Sequence, residues 1–335
     1  METLQLTKHH GLGNDFLIAL LSDEAKSQLD ALRLDWPGLA REACNRRTGV
    51  GADGLLLGIE PVWSNPTWHE NTDSGSSYPD GNATVRMVLY NSDGSRAAMS
   101  GNGSACLANA VASAQEPWSS HIHDLRDASL DLKIATDSGT RNVRWHSPYV
   151  ESVDGEPIPI DTHIDITLPP VMAGPEICPA LDELISGSFG DAARSTGDVG
   201  NPHLVIAAES RVTADETARL GALYEGHFHG GINVEFVWPN DGPSKAAGQP
   251  QSSLGMSVWE RGAGLTDACG TGAVVAVTRA REWGLITSDI FTSVSMPGGL
   301  ATIAQVAADK PPVLQVWADH VADIGWPLRG PWLDA

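Results

Sequence analysis

The sequence predicts an α+β fold made of two similar halves. Two observations predict it. Short apolar strands alternate with turns rich in Gly, Asn and Asp along most of the chain, with few helical stretches between them. Two local patterns also occur twice each, in the same order. Ser100-Gly101-Asn102-Gly103 opens a run of small apolar residues, and Cys269-Gly270-Thr271-Gly272 opens another. Gly13-Asn14-Asp15-Phe16-Leu17-Ile18 precedes the first, and Gly200-Asn201-Pro202-His203-Leu204-Val205 precedes the second. The spacing from Asn91 to Ser100 equals that from Glu260 to Cys269. Two repeats of roughly 150 residues fill the 335-residue chain. We assign residues 1–162, with a returning strand at 318–335, to the first half and 163–317 to the second. Two such halves are expected to face each other across a cleft, where ligands prefer to bind.

Taken in order, Leu4 to Lys8 and Leu17 to Leu21 read as strands around the turn His9–Phe16. The glycine spacing there is not a dinucleotide fingerprint, and no helix follows. A polar helix is expected over Ser22–Asn45, interrupted at Pro37. Arg46–Gly54 is a turn into the strand Leu55–Ile59. Residues 61–83, rich in Pro, Ser, Asn, Asp and Gly, read as an exposed insertion. A strand at Val85–Tyr90 is followed by an apolar helix over Ser104–Ala114. Further strands are expected at Val143–Trp145, Asp165–Leu168, Val234–Trp238 and Met256–Trp259. Ala273–Ala280 reads as a buried helix, so each half has one central helix.

Composition narrows the function classes. With 41% hydrophobic and 19% charged residues the chain reads as globular with real cores. No apolar run is long enough to span a bilayer, and Met1-Glu2-Thr3-Leu4 does not begin a signal peptide. No membrane partner and a cytoplasmic location are expected. A net charge of -21 argues against nucleic acid, whose backbone demands a basic face. The four cysteines, Cys44, Cys106, Cys178 and Cys269, form neither a disulfide framework nor a zinc-ligand spacing, and no metal is expected.

Cys269 stands at a helix N-terminus, where unpaired N–H groups and the helix dipole favour negative charge. That environment is expected to lower a thiol pKa from about 8.5 toward neutrality and to seat a carboxylate. Ser100 holds the matching position in the first half, where it suits a helix N-cap. Cys106 lies too far along its helix to share the site and is expected to be a packing residue.

Six segments carry a family resemblance that runs almost end to end. They are Gly11-Leu12-Gly13-Asn14-Asp15-Phe16, Asn91-Ser92-Asp93-Gly94-Ser95, Gly200-Asn201-Pro202-His203, Asn233-Val234, Glu260-Arg261-Gly262-Ala263-Gly264 and Ala268-Cys269-Gly270-Thr271-Gly272-Ala273. In these the chain resembles the diaminopimelate epimerases, amino-acid epimerases that work without pyridoxal phosphate or any other cofactor. The resemblance implies two pseudo-symmetric domains, each a β-barrel-like sheet around a central helix, with the active site in the cleft and a homodimer as the assembly. It also implies a small-molecule substrate, diaminopimelate, interconverted between its LL and meso forms.

The chemistry explains the residue types. Inverting an α-carbon without a cofactor requires N–H donors to stabilise the carbanion through its carboxylate. By resemblance these come from Gly101 and Asn102 and from Gly270 and Thr271. Two acid/base groups must serve opposite faces. Cys269 matches one of the family's two cysteines, and Ser100 replaces the other. His203 and Glu260 match the residues that move protons to and from those positions. Asn14, Asn91, Asn201, Asn233, Glu260 and Arg261 match the substrate-binding set, with Arg261 suited to a distal carboxylate through its forked guanidinium.

A serine hydroxyl is a poor base at neutral pH. Ser100 is therefore read as an engineered replacement, as natural in a member with slowed or one-sided chemistry, or as drift toward a related dehydration. Asn102, where relatives of that last kind carry histidine, argues against drift. The rival functions are a cofactor-independent racemase or dehydratase of the same fold, and a diaminopimelate-binding homologue that does not turn over. Ala105 and Leu265 also depart from the family, which has arginine and glutamate there.

Overall fold

The computed structural model describes residues 3–31, 33–70, 77–115, 128–147, 150–153, 156–159, 163–240, 252–287, 290–305 and 310–328. Its contacts divide the chain into two compact units, Met1–Ile166 with Val316–Ala335, and Thr167–Gln315. The first half contributes β1 (Thr3–Gly11), β2 (Asn14–Leu21), α1 (Asp23–Ala31), α2 (Trp36–Ala43), β3 (Gly54–Trp63), β4 (Thr67–Glu70), β5 (Ser77–Asn91), β6 (Arg96–Ala97), α3 (Gly101–Ser113), β7 (Ser129–Thr136), β8 (Gly139–His146), β9 (Val150–Val153) and β10 (Glu156–Pro159). After β11 (His163–Thr167) come α4 (Pro179–Phe189), β12 (Arg194–Asp198), β13 (Pro202–Ala207), α5 (Ala214–Glu225), β14 (Asn233–Pro239), β15 (Ser252–Glu260), β16 (Gly264–Thr266), α6 (Gly270–Glu282), β17 (Phe291–Met296), β18 (Gly299–Ala304), β19 (Val313–Trp317) and β20 (Asp319–Pro327).

In the first unit the strands run β20-β1-β2-β3-β5-β7-β8. The β2–β3 and β5–β7 pairs are parallel and the others antiparallel. This sheet wraps α3, which packs against all seven of those strands. Such a position demands a helix without a polar face, and Gly101 to Ala112 are all buried. Small residues dominate α3 because strands approach it from every side. The outer face of the sheet is covered by α1 and α2, through Leu29, Trp36, Leu39 and Ala43 against Leu17, Leu55 and Leu57.

The second unit repeats the plan. Its strands run β12-β13-β14-β15-β17-β18-β19, with β13–β14 and β15–β17 parallel. Here α6 is the wrapped helix, packed on β12, β13, β14, β15, β17 and β18. Helices α4 and α5 cover the other face, through Leu181, Ile185, Leu220 and Tyr224 against Leu204, Ile206, Val234 and Phe236. Strand for strand, β1, β2, β3, β5, β7 and β8 correspond to β12, β13, β14, β15, β17 and β18. The mixed α+β architecture with one central helix per half is what the repeat predicts.

Three expectations are corrected. The helix over 22–45, expected to break at Pro37, is two helices whose break falls earlier, and Pro37 lies in the first turn of α2, where its missing N–H costs nothing. The Asp35 side chain caps that turn, accepting from the Gly38 N–H at 3.0 Å. Residues 61–83 are exposed at Val62 and Trp68 but are no structureless insertion: β3 runs on to Trp63, β4 follows, and β5 begins at Ser77. Residues 71–76 of that stretch lie outside the described residues. The outer helices α4 and α5 are additional to the expected elements. Among the described residues no helix is long and apolar enough to cross a membrane.

Candidate active site

Each central helix begins at a residue singled out by the sequence. In the first unit Ser100 is the N-cap of α3, with extended backbone (φ −141°, ψ 130°), and its Oγ accepts from the Gly103 N–H at 3.0 Å. The hydroxyl is thus engaged as a cap. Asn102, one turn position later, donates from Nδ2 to Asn14 Oδ1 at 2.6 Å, while Asn14 donates to Asp53 Oδ2 at 3.4 Å. Arg46 braces this link by pairing with Asp15 at 2.7 Å and Asp53 at 2.8 Å. The Oδ1 of Asn102 is buried without a partner. Asn91 closes its turn by donating to Ser95 Oγ at 3.0 Å. Ala105 is buried inside α3, and so is Cys106, whose thiol burial pushes far up.

In the second unit Cys269 is the N-cap of α6 (φ −134°, ψ 106°), and only 4% of it is exposed. Its Sγ lies 3.5 Å from Thr271 Oγ1, which also accepts from Asn201 Nδ2 at 3.3 Å. This Asn201–Thr271 link stands at the positions of the Asn14–Asn102 link in the other half. Asn201 Oδ1, too, is buried without a partner. Glu260, at the end of β15, accepts from the Thr266 hydroxyl at 2.5 Å. Gly262 and Gly264 make that geometry possible: both take left-handed φ, 81° and 84°, in the turn that returns β16 to β15. Asn233 holds the site's frame, donating to Pro202 O at 3.1 Å and accepting the Arg261 N–H at 2.9 Å. The Arg261 side chain is exposed and donates to Gly230 O at 3.2 Å. Leu265 is exposed in β16.

One group here escaped sequence reasoning. Glu235 on β14 is fully buried, and its Oε1 lies 2.6 Å from His203 Nδ1 on β13, also fully buried. A Cβ on Gly272 would come within 2.4 Å of that Oε1, so only glycine lets the start of α6 approach Glu235. Donor atoms of His203, Glu235 and Cys269 all lie within 4.8 Å of one another. They come from two strands and a helix cap, so no local spacing announces them. Within the set, Nδ1 and Oε1 satisfy each other in a hydrogen bond. The signal that could have revealed it is a lone glutamate inside the apolar strand Val234–Trp238.

The electrostatics reverse one expectation. The Cys269 thiol is not brought down toward neutrality but held well above its ordinary value. Burial is the main cause, and the charges of Glu260 and Glu235 add to it. Thr271 and the Gly272 amide pull the other way and are outweighed. Glu260 is likewise raised, chiefly by burial and further by Glu235, against the hydrogen bonds from Thr266 and Cys269 and the nearby His203.

A family model described as diaminopimelate epimerase matches residues 6–157 and 196–317. A diaminopimelate epimerase of Moorella thermoacetica is 34% identical over 82% of this chain and 82% of its own. One from Desulfitobacterium hafniense is 33% identical over 88% of this chain and 89% of its own. Among solved structures, a hydroxyproline epimerase from Agrobacterium vitis covers 98% of this chain and 94% of its own with a TM-score of 0.58 at 14% identity. A phenazine biosynthesis protein from Bacillus anthracis covers 97% and 99% with a TM-score of 0.55 at 14% identity. At that identity the structures speak for the fold.

Proposed function

Because the chain belongs to the diaminopimelate epimerase family, we propose that it is an isomerase interconverting LL- and meso-diaminopimelate by moving the α-proton, without a cofactor. The observation that carries this reading is the buried Cys269 thiol at the start of α6, with Glu260 and His203 behind it. By the family resemblance, the N–H groups of Gly270 and Thr271 at the start of α6 and those of Gly101 and Asn102 at the start of α3 belong to the substrate-binding set, as donors that stabilise the carbanion through its carboxylate. In the second unit, the buried, unpartnered Oδ1 of Asn201 receives the α-ammonium. That ammonium also supplies the positive charge that offsets Glu260 and Glu235 and lets Cys269 ionise. Arg261, exposed beside the turn, takes the distal carboxylate. By the same resemblance Asn14 and Asn91 in the first unit and Asn233 in the second belong to the substrate-binding set, each held by the hydrogen bonds described above.

Ser100 sets the limit on turnover. Its hydroxyl caps Gly103 and cannot serve as a base at neutral pH, so Cys269 exchanges the proton on its own face faster than the α-carbon inverts. The same residue favours a second reading, a diaminopimelate-binding homologue without turnover. By the family resemblance we further place the protein in the cytoplasm, as a homodimer on the route to lysine and peptidoglycan.

The test is α-hydrogen exchange in D₂O, followed by NMR on each isomer separately, for this protein and for Ser100→Cys. Epimerisation appearing or rising sharply in Ser100→Cys is the expected result. Deuterium entering one isomer without inversion in the unmodified protein is expected with it. Exchange of neither isomer by either form would refute the substrate assignment.

A further inference from the structure

This inference rests on the reaction assigned above and concerns the residue behind His203. We propose that Glu235 is a positioning residue for proton transfer at Cys269, holding His203 in the tautomer whose Nε2 is free to exchange a proton with the thiol. Three observations carry it.

The first is the 2.6 Å contact between His203 Nδ1 and Glu235 Oε1. A carboxylate can only accept, so Nδ1–H donates, and in the neutral ring Nε2 then keeps its lone pair. The second is what remains unsatisfied: His203 Nε2 and Glu235 Oε2 are both buried without a partner, and a nitrogen of the ring lies within 4.8 Å of Cys269 Sγ. Burying such groups incompletely paired costs free energy, so a fold that needs only packing excludes them.

The third is that the fold does need only packing, as its other half demonstrates. In the parallel pair β13–β14, His203 faces Asn233, and Glu235 lies two residues on. In the equivalent pair β2–β3, Phe16 faces Gly54, and Leu56 lies two residues on. Phe16 and Leu56 therefore occupy the positions of His203 and Glu235, and both are buried. Gly103 sits against Leu56 as Gly272 sits against Glu235. One frame is filled with hydrocarbon beside Ser100 and with an acid–base pair beside Cys269. The pair serves the thiol.

The step balances. The Sγ–H proton passes to Nε2, leaving a thiolate and an imidazolium whose charge Glu235 offsets through the Nδ1–H bond. The reverse transfer restores the thiol. Glu260 on β15 is, with Glu235, the charge that acts on the same thiol among the described residues.

The experiment uses protein carrying ¹⁵N-labelled histidine, with His203→Gln to assign the ring. In the unmodified chain, NMR is expected to show His203 protonated at Nδ1 and bare at Nε2. Glu235→Gln keeps the acceptor and the tautomer but removes the charge. In the Ser100→Cys background it is expected to lower kcat for α-proton exchange roughly 10- to 100-fold with KM unchanged, and to displace the pH profile. Glu235→Leu, which copies the other half, is expected to let the Nε2–H tautomer appear. An Nε2–H tautomer in the unmodified chain, or a Glu235→Gln form with unaltered kcat and pH profile, would overturn the proposal. Should neither diaminopimelate isomer exchange at all, the substrate reading fails alone, because the tautomer is read without substrate.

Discussion

At the scale of single residues, the chemistry of this protein turns on which charges stand beside Cys269. Glu260 and Glu235 hold the thiol up, so neutralising either must bring it down. Glu260→Gln is expected to lower the Cys269 pKa, read as thiolate absorbance against a Cys269→Ala blank. An unchanged titration would mean that burial alone governs the thiol. Gly272 is as demanding as any charged residue, because a methyl group there meets Glu235 Oε1 at 2.4 Å. Gly272→Ala is expected to destabilise the protein by about 1–3 kcal/mol in urea unfolding and to cut exchange at Cys269, since Glu235 cannot yield without moving His203. Position was legible at this scale, and ionisation was not. The Gly-Thr-Gly pattern located Cys269 at a helix start from local sequence alone. Its raised pKa comes chiefly from burial and further from carboxylates carried in by β14 and β15, both of which only the folded sheet brings about.

At the scale of elements, the two wrapped helices were legible because each has a small polar cap, glycines and an unbroken apolar run. The outer helices are harder to see because they bury one stripe and leave the rest polar. Thr213 and Glu216 nonetheless form a reciprocal capping box at the start of α5, with Leu220 and Tyr224 on the buried side, and Pro179 opens α4 before Leu181 and Ile185. Those signals were present and local. Helix α4 carries an avoidable weakness in Gly187, around which a Cβ would meet nothing within 4 Å. Gly187→Ala is expected to raise stability by about 0.5–1 kcal/mol in thermal or urea unfolding, without touching exchange. A loss of stability would show that α4 needs the glycine for packing.

At the scale of the whole molecule, buried ionisable groups narrow the pH range of the folded state from both sides. Burial, with the nearby His320, lowers the His9 pKa from 6.5 to about 3. The unfolded chain therefore takes up a proton below pH 6.5 that the folded chain refuses, and stability falls between there and pH 3. The limiting slope is about 1.4 kcal/mol per pH unit for that one proton. On the alkaline side burial raises the Cys44 thiol from 9.0 to about 12 and pushes Cys106 and Cys269 up as well. The unfolded chain loses protons above pH 9 that the folded chain retains, and stability declines again. Urea midpoints measured from pH 4 to 11 are expected to trace a dome, and His9→Gln is expected to flatten its acid limb. A flat profile would mean that these groups are solvated in solution.

The two wrapped helices give the molecule an internal standard of comparison. Phe16 and Leu56 report what the frame tolerates when it has only to stand, and His203 and Glu235 report what it accepts when it has also to react. Duplicated architecture usually hides such differences under drift; here two buried positions separate ballast from machinery. An ancestor assembled from two identical halves would have faced a choice at each of them, and specialisation required only that one copy give up hydrocarbon for an acid and a base. The same two positions are where a designer would begin to make the halves equal again.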